Sequence, residues 1–226
     1  MKKRFYISIA IILILISSIG FFLWNDNHGQ RRKEINDNLL KALIDDDLTK
    51  VKKMINDGAD VNMKDSHNQT VLSYASSPDI VKALIENGAD VNANSGGTTP
   101  LKSASTLGRL DVVRELLDKG ADIDIRDNEY GQTALIAASI FDHLDIAREL
   151  IGEGADMEIG DYSGKTALMW ASDQGNILVV EELIRQGVNI NRKNTSGNTA
   201  LDFASGGGDK PGNPDIIKIL KAAGAE

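Results

Sequence analysis

One stretch of the sequence invites comparison with a phosphate-binding loop. Tyr162-Ser163-Gly164-Lys165-Thr166 contains the Gly-Lys-Thr ending of that motif, in which backbone amides and the lysine hold phosphate groups. The motif also requires a glycine five residues before the Gly-Lys pair, but that position is Ile159, and Gly160 comes one residue late. No buried apolar strand precedes the stretch. A turn glycine followed by a helix-capping threonine explains these residues better than phosphate binding does.

The other residues that could do chemistry are isolated from one another. Asp45-Asp46-Asp47 could attract a cation, but no further ligand spacing follows, and the run favours a solvated helix end. His67 is expected at a loop tip and His143 at a turn. There is no cysteine, no nucleophile elbow and no pair of catalytic carboxylates at a suitable spacing. The sequence therefore predicts a protein that is not an enzyme and that uses no cofactor or metal.

Composition and net charge indicate which classes of partner the protein can bind. The chain has 226 residues, of which 42% are hydrophobic and 26% charged, as in ordinary globular proteins. Its net charge is −8, but residues 1–33 hold six of the basic side chains and one of the acidic ones, so residues 34–226 carry −13. An acidic body repels a phosphate backbone. We therefore expect no nucleic acid among the partners.

The N-terminal segment is apolar enough to enter a membrane. Phe5–Trp24 is an almost unbroken apolar run of twenty residues, which as a helix of about 1.5 Å rise per residue spans about 30 Å of hydrocarbon. Residues 1–24 are therefore predicted to be a transmembrane anchor that contacts the lipid bilayer through residues 5–24. The alternative is a cleaved signal peptide, because Ser18-Ile19-Gly20 offers small residues at a cleavage site. The run continues through Phe21–Trp24, which favours the uncleaved anchor.

Basic residues on both sides of this run bear on its orientation. Lys2-Lys3-Arg4 favours a cytoplasmic N-terminus, whereas Arg31-Arg32-Lys33 favours the opposite arrangement. The first cluster is tighter and nearer, so we expect a single-pass protein whose body lies outside the cytoplasm, or a soluble exported body if the signal is cleaved. Residues 25–33 are polar and are predicted to form a linker.

The rest of the chain repeats. Gly-Ala-Asp or a close variant recurs every 30 to 37 residues, beginning at Gly58, Gly88, Gly120, Gly154, Gly187 and Gly224. In step with it runs a threonine followed by leucine two residues later and alanine five residues later. The threonines are Thr70, Thr99, Thr133, Thr166 and Thr199; the first unit has Asp37 there but keeps Leu39 and Ala42.

The residues of one unit predict its local structure. The threonine caps a short helix, and an inner turn follows at Gly108, Asp142 or Gly175. A second helix carries paired apolar residues and ends at the glycine of Gly-Ala-Asp in the left-handed conformation. One such unit cannot bury its apolar face alone, so stability must come from stacking.

This pattern resembles the ankyrin repeat family. It is read at Asp161–Asn191 as DYSGKTALMWASDQGNILVVEELIRQGVNIN. The resemblance covers residues 34–226 and implies an all-α repeat solenoid of about six stacked helix-turn-helix units with projecting loops, preceded by one N-terminal hydrophobic helix. The histidine usual after the leucine is absent, and Ser76-Ser77-Pro78 must replace the inner turn of a shortened second unit. With charged units at both ends, the domain is expected to be monomeric.

The resemblance also implies where a partner protein would bind, namely the concave face made by loop tips and first helices. Tyr130, Phe141 and Tyr162 are expected to be the anchors, unless their rings fold back on neighbouring units. Trp170 is expected in the core. The predicted contact residues are Ser66, His67, Gln69, Ser95, Thr98, Leu107, Glu129, Tyr130, Gln132, Ile140, Phe141, Tyr162, Ser163, Lys165, Asp173 and Gln174.

The function expected from this sequence is that of a membrane-tethered, non-enzymatic scaffold for protein–protein interaction. An inhibitor or immunity-type module that masks a partner enzyme would use the same surface and remains the alternative.

Overall fold

A computed structural model describes residues 29–206 and 211–226. The predicted anchor at 5–24 lies outside these residues. None of the helices in the described part is both long and apolar enough to cross a bilayer. Residues 29–33, the second half of the predicted polar linker, are exposed and belong to the first helix.

All regular structure in the described residues is helical, apart from two isolated β-bridges at loop tips. The predicted all-α repeat solenoid is thus confirmed. The first helix, α1, covers residues 29–44. The others are α2 Leu48–Asn56, a 3₁₀ turn Val71–Tyr74, α3 Pro78–Glu86, α4 Pro100–Thr106, α5 Leu110–Asp118, α6 Ala134–Ile140, α7 Leu144–Gly152, α8 Ala167–Gln174, α9 Ile177–Arg185, α10 Ala200–Ala204 and α11 Pro214–Ala222.

The helices form two layers. The first helices of successive units, α4, α6, α8 and α10, pack on one another, and the second helices, α3, α5, α7, α9 and α11, pack in a parallel row. Each first helix also packs on the second helix of its own unit. Every unit therefore buries its apolar face against the next, as the repeat pattern predicts.

The threonines occupy the helix N-caps, but not all of them bond as predicted. The hydroxyls of Thr99, Thr133 and Thr199 accept hydrogen bonds from the backbone amides three residues later. Thr70 and Thr166 make no such bond. Thr70 precedes only the 3₁₀ turn, because Pro78 starts α3 after Ser77 and leaves no room for a full first helix.

The glycine that ends each second helix has positive φ, between 85° at Gly120 and 98° at Gly224. This is the left-handed backbone conformation predicted from the sequence, and residues with a Cβ rarely adopt it. The chain reverses there and enters the loop that leads to the next unit.

The leucines and alanines of the repeat form one continuous core. Leu39 and Ala42 of the first unit are fully buried, and Leu168 of the fifth unit is 1% exposed. The register assigned from the sequence is therefore confirmed from the first unit onward.

A ladder of asparagines joins neighbouring units beside this core. Asn62 Oδ1 accepts from the amide of Asp90, and its Nδ2 donates to Gly88 O. Asn92 and Asn191 make the same two hydrogen bonds to the units that follow them: Oδ1 accepts from a backbone amide, and Nδ2 donates to a backbone carbonyl. Each of these side chains satisfies one backbone donor and one backbone acceptor of the next unit.

Asp124 stands where the ladder calls for an asparagine. Its Oδ1 accepts from the amide of Asp156 at 3.1 Å, but a carboxylate has no N–H to donate to Gly154 O. Burial raises the pKa of Asp124, and the nearby charges of Asp156 and Asp122 add to that rise. The charge that Asp124 carries at neutral pH therefore destabilises the folded protein.

The second helices carry ion pairs on their outer side. Arg148 of α7 reaches Glu182 of α9 at 3.0 Å, and Arg185 also pairs with Glu182. The Arg185 guanidinium outweighs the effect of burial and, with Gln186 and Arg148, lowers the pKa of Glu182 to about 2. The pair therefore stays ionised and ties α7 to α9 at any ordinary pH.

Replacing Asp124 with asparagine should stabilise the protein. The raised pKa means that the carboxylate contributes less to stability as pH rises through that pKa, so its charge is unfavourable at pH 7. Asparagine removes this charge and restores the missing donor to Gly154 O. We expect a gain of about 0.5–1.5 kcal/mol in the free energy of unfolding at pH 7, measured by urea denaturation.

Asp37→Asn is the matched control, because Asp37 is exposed on α1 and its replacement removes the same charge. It should leave stability within about 0.5 kcal/mol. Equal effects of the two substitutions would show that only net charge, and not the ladder position, matters.

Candidate partner-binding groove

A groove of 660 Å³ lies between the loop tips and the first helices of the middle units. Its floor comes from α4, α6 and α8, and its rim comes from the tips at 127–132 and 161–165. The wall is mostly apolar and includes four aromatic rings. The lining residues are Lys102, Thr106, Glu129, Tyr130, Gln132, Ile140, Phe141, Asp161, Tyr162, Ser163 and Trp170.

A second hollow of 370 Å³ extends the groove toward the N-terminal units. The two share Lys102, Thr106 and Glu129, so together they make one continuous surface across units two to five. An extended segment of another chain could follow it.

A buried carboxylate builds the rim at Tyr130. Asp127 is fully buried, and its Oδ1 accepts from the backbone amides of Glu129, Tyr130 and Gly131, while Oδ2 accepts from the amide of Gln132. These bonds fold the loop tightly and turn Tyr130 outward, where it is 56% exposed. The loop is one residue longer than the others, because its aspartate comes six residues before the capping threonine instead of five.

The charge of Asp127 is balanced from the neighbouring unit. Lys102 Nζ of α4 lies 2.7 Å from Asp127 Oδ2, with only 12% of the lysine side chain exposed. Burial by itself raises the pKa of Asp127, but Lys102 and the loop amides together hold that pKa below its usual range. The pair joins the rim of the groove to its floor.

Tyr162 partly covers the rim beside it. Its hydroxyl donates to Asp127 O at 3.1 Å, and its ring lies against Gly131, where an added Cβ would come within 2.5 Å of Cδ1. The glycine also has a φ of 74°. The tyrosine thus folds back on the preceding unit while remaining 60% exposed, which combines the two possibilities left open by the sequence.

Trp170 of α8 lines the floor of the groove. Its Nε1 donates to Asp161 Oδ2 at 2.9 Å, and Lys165 Nζ lies 3.7 Å from the centre of its ring. The same ammonium is 4.1 Å from the ring of Phe203 and 2.7 Å from Asp173. The tryptophan is only partly buried: it packs against the core, as predicted, and it also lines the groove.

The structure brings together seven of the predicted contact residues in this groove, namely Glu129, Tyr130, Gln132, Ile140, Phe141, Tyr162 and Ser163. Gln69, Thr98 and Leu107 line the adjoining hollow. Ser66 and His67 are exposed at the tip of the second unit, and Asp173 and Gln174 line a separate hollow at the end of α8.

Two predicted contact residues are buried instead. Lys165 is 7% exposed, because its ammonium group turns inward between two rings, and Ser95 is 9% exposed within a tight turn. Their assignment to an exposed binding face was wrong. A loop position near a tip says nothing about the direction of a long side chain.

Sequence reasoning did not assign Lys102 and Asp161 to the groove. Lys102 replaces the histidine of the usual pattern, and this departure was the available signal that the position had changed its role. Asp161 was visible only as the first residue of a turn, although its Oδ1 accepts from the amides of Ser163 and Lys165 and shapes the rim.

Asp127→Asn should destabilise the protein strongly. Asparagine would leave the Lys102 ammonium in a confined site without its counter-ion and would place an amide donor among backbone donors. We expect a loss of about 3–5 kcal/mol in the free energy of unfolding by chemical denaturation, with faster hydrogen exchange at residues 129–132.

Asp65→Asn provides the comparison. Asp65 also holds a loop tip through the amides of His67 and Gln69, but it has no lysine partner in the described structure. A smaller loss of about 1–2 kcal/mol is expected. Equal losses would mean that the ion pair with Lys102 adds nothing.

Comparison with known proteins agrees with this architecture. The chain is 35% identical over 105 residues to the E3 ubiquitin-protein ligase hecd-1 of Caenorhabditis elegans and 36% identical over 96 residues to the palmitoyltransferase Hip14 of Drosophila melanogaster. These matches cover 45% and 40% of this chain but only 4% and 15% of those proteins. The chain thus spans a small part of the length of these relatives.

The fold match is broader. The crystal structure of the human ASB11 ankyrin repeat domain superposes with a TM-score of 0.73 at 26% identity, covering 82% of this chain and 81% of that one. The sequence profile for ankyrin repeats matches three times, at residues 39–127, 127–194 and 153–226. Stacked helix pairs, projecting loops and the profile all agree, and the chain belongs to the ankyrin repeat family.

Proposed function

We propose that this protein is a non-enzymatic scaffold that binds a protein partner in the groove between its loop tips and first helices. Ankyrin repeats suggest protein–protein interaction as the general role. The observation that supports this particular surface is the exposure of Tyr130, Phe141 and Tyr162, at 56%, 52% and 60%, around one largely apolar groove. Large rings at exposed turns become favourable contacts when a partner covers them.

The chemistry of the groove also supports binding rather than catalysis. Its buried carboxylates accept several hydrogen bonds each, and Lys102 is held by Asp127. These groups hold the rim in shape, which prepares the surface for a partner at low entropic cost.

We further propose that residues 5–24 tether the scaffold to a membrane, with the repeats outside the cytoplasm. The support is the length and apolarity of that run in the sequence. A tether would confine the groove to partners at the same membrane.

Removing the exposed rings should weaken partner binding. The double variant Tyr130→Ala/Phe141→Ala removes two anchors that are 56% and 52% exposed in the fold. A partner captured from cell extract on the full-length protein should bind the full-length variant about 10–100-fold more weakly in Kd, measured by surface plasmon resonance.

Ile44→Ala/Leu178→Ala is the matched control. These two side chains are 67% and 57% exposed and lie outside the groove, on α1 and α9. If the control weakens binding as much as the groove variant does, the partner lies elsewhere. An enzyme partner whose turnover falls on binding would favour the inhibitor alternative, whereas unchanged turnover would favour the scaffold.

Cell fractionation tests the tether. The full-length chain should remain with membranes through carbonate and high-salt washes, because about twenty buried apolar residues resist both. External protease should reach the repeats in spheroplasts. A soluble exported chain beginning near Phe21 would identify a cleaved signal, and protection of a membrane-bound chain would place the repeats in the cytoplasm.

A further inference from the structure

The groove has an excess of negative charge. In the 660 Å³ hollow and behind it, the two ammonium groups are each held 2.7 Å from a carboxylate, which leaves two further carboxylates and a charge of −2. One of them, Glu129, is exposed at the rim, and the other, Asp161, lines the wall. In the adjoining hollow, the Arg109 guanidinium donates to the backbone carbonyls of Tyr74 and Ala75 and makes the charge of the whole groove −1. The charged side chains in and behind the wall are Lys102, Lys165, Asp127, Glu129, Asp161 and Asp173.

The aromatic rings of the groove already receive ammonium groups from this chain. Lys165 Nζ sits 3.7 Å from the centre of the Trp170 ring, and Lys102 Nζ lies 6.0 Å from the centre of the Tyr130 ring. The negative π face of a ring attracts a cation, most strongly where water is excluded. The exposed portions of Tyr130 and Tyr162 offer the same attraction to a partner.

A carboxylate stands beside one of these rings. Glu129 and Tyr130 are consecutive at the loop tip, and both line the same hollow. The Glu129 carboxylate raises the pKa of the Tyr130 phenol. Glu129 also lies over Gly97, where an added Cβ would come within 2.9 Å of its Cβ. It stands where the two hollows of the groove join. A cation on the Tyr130 ring would therefore find a counter-charge at the middle of the surface.

The charge of the whole body acts in the same direction. Residues 34–226 carry −13, which attracts a basic segment from a distance and repels an acidic one. Local and long-range electrostatics thus favour the same kind of partner.

We infer that the partner segment in this groove carries a lysine or arginine flanked by apolar residues, with its charged end over the Tyr130 and Tyr162 rings and beside Glu129. The apolar neighbours contact Ile140, Phe141 and Trp170. This inference rests on the proposed function, because it specifies the chemistry of the segment that the groove binds.

Selection from a random peptide library displayed on phage tests the inference without a known partner. The full-length chain is the immobilised target, and Tyr130→Ala/Phe141→Ala is the counter-target that removes clones bound elsewhere. Groove-dependent clones should carry a net positive charge and at least one lysine or arginine next to apolar residues. Replacing that basic residue by glutamine in a synthetic peptide should raise Kd about tenfold or more.

Two variants with the same net charge separate the local effect from long-range attraction. Glu129→Gln removes the carboxylate beside Tyr130, whereas Glu181→Gln removes an exposed carboxylate from α9. We expect Glu129→Gln to weaken binding of the selected peptide about fivefold and Glu181→Gln to leave Kd within about twofold, by fluorescence anisotropy. Equal effects would overturn the local contact.

The outcomes also distinguish this inference from the proposed function. Groove-dependent clones that are neutral or acidic would overturn the inference and leave the groove a protein-binding site. If every selected clone also binds the Tyr130→Ala/Phe141→Ala variant, both the inference and the proposed function are overturned. A dimer of the full-length chain that the groove variant abolishes would assign the groove to a second copy and would also overturn the inference.

Discussion

The stacking of one unit on the next is the constraint on which this structure depends. A single helix pair leaves its leucine and alanine face open to water, so it is stable only when a neighbour covers that face. The first helices and second helices consequently align in two rows, and the asparagine ladder fixes the step between them through Asn62, Asn92 and Asn191. Because that step is fixed, the loop tips align as well. The groove is a consequence of this alignment, and the side chains on the tips determine what it binds.

The tips themselves are held by the same kind of contact between units. Asp127 folds its own loop through four backbone amides and reaches Lys102 in the preceding unit, while the Tyr162 hydroxyl returns to Asp127 O. The Lys165 ammonium group packs on the Trp170 ring and holds it in position. Polar and charged groups within and between the units therefore hold the shape of the rim, and the exposed rings remain available for contact. A rim that is held in shape in this way can bind a partner without large rearrangement.

Much of the fold follows from the sequence, because the repeat places threonine, leucine, alanine and glycine in one register. The buried Leu168 and the left-handed glycines are local consequences of that register. The groove is only partly predictable, since several of its contacts join residues 25 or more positions apart, as with Lys102 and Asp127 and with Tyr162 and Asp127. A loop position cannot show that Lys165 turns inward to an aspartate and two rings. The ladder position of Asp124 is visible in the sequence, but the consequence of its charge depends on burial against the next unit.

Photo-crosslinking in living cells tests the central claim that the partner occupies the groove of the middle units. p-Benzoylphenylalanine would be placed at position 130, and separately at position 178 on α9, in otherwise unchanged full-length protein. Our account predicts one irradiation-dependent adduct from position 130, with the crosslinked residue in the partner lying in a basic, partly apolar segment. Position 178 should give none of that adduct. An adduct of the same partner from position 178 and none from position 130 would contradict the account.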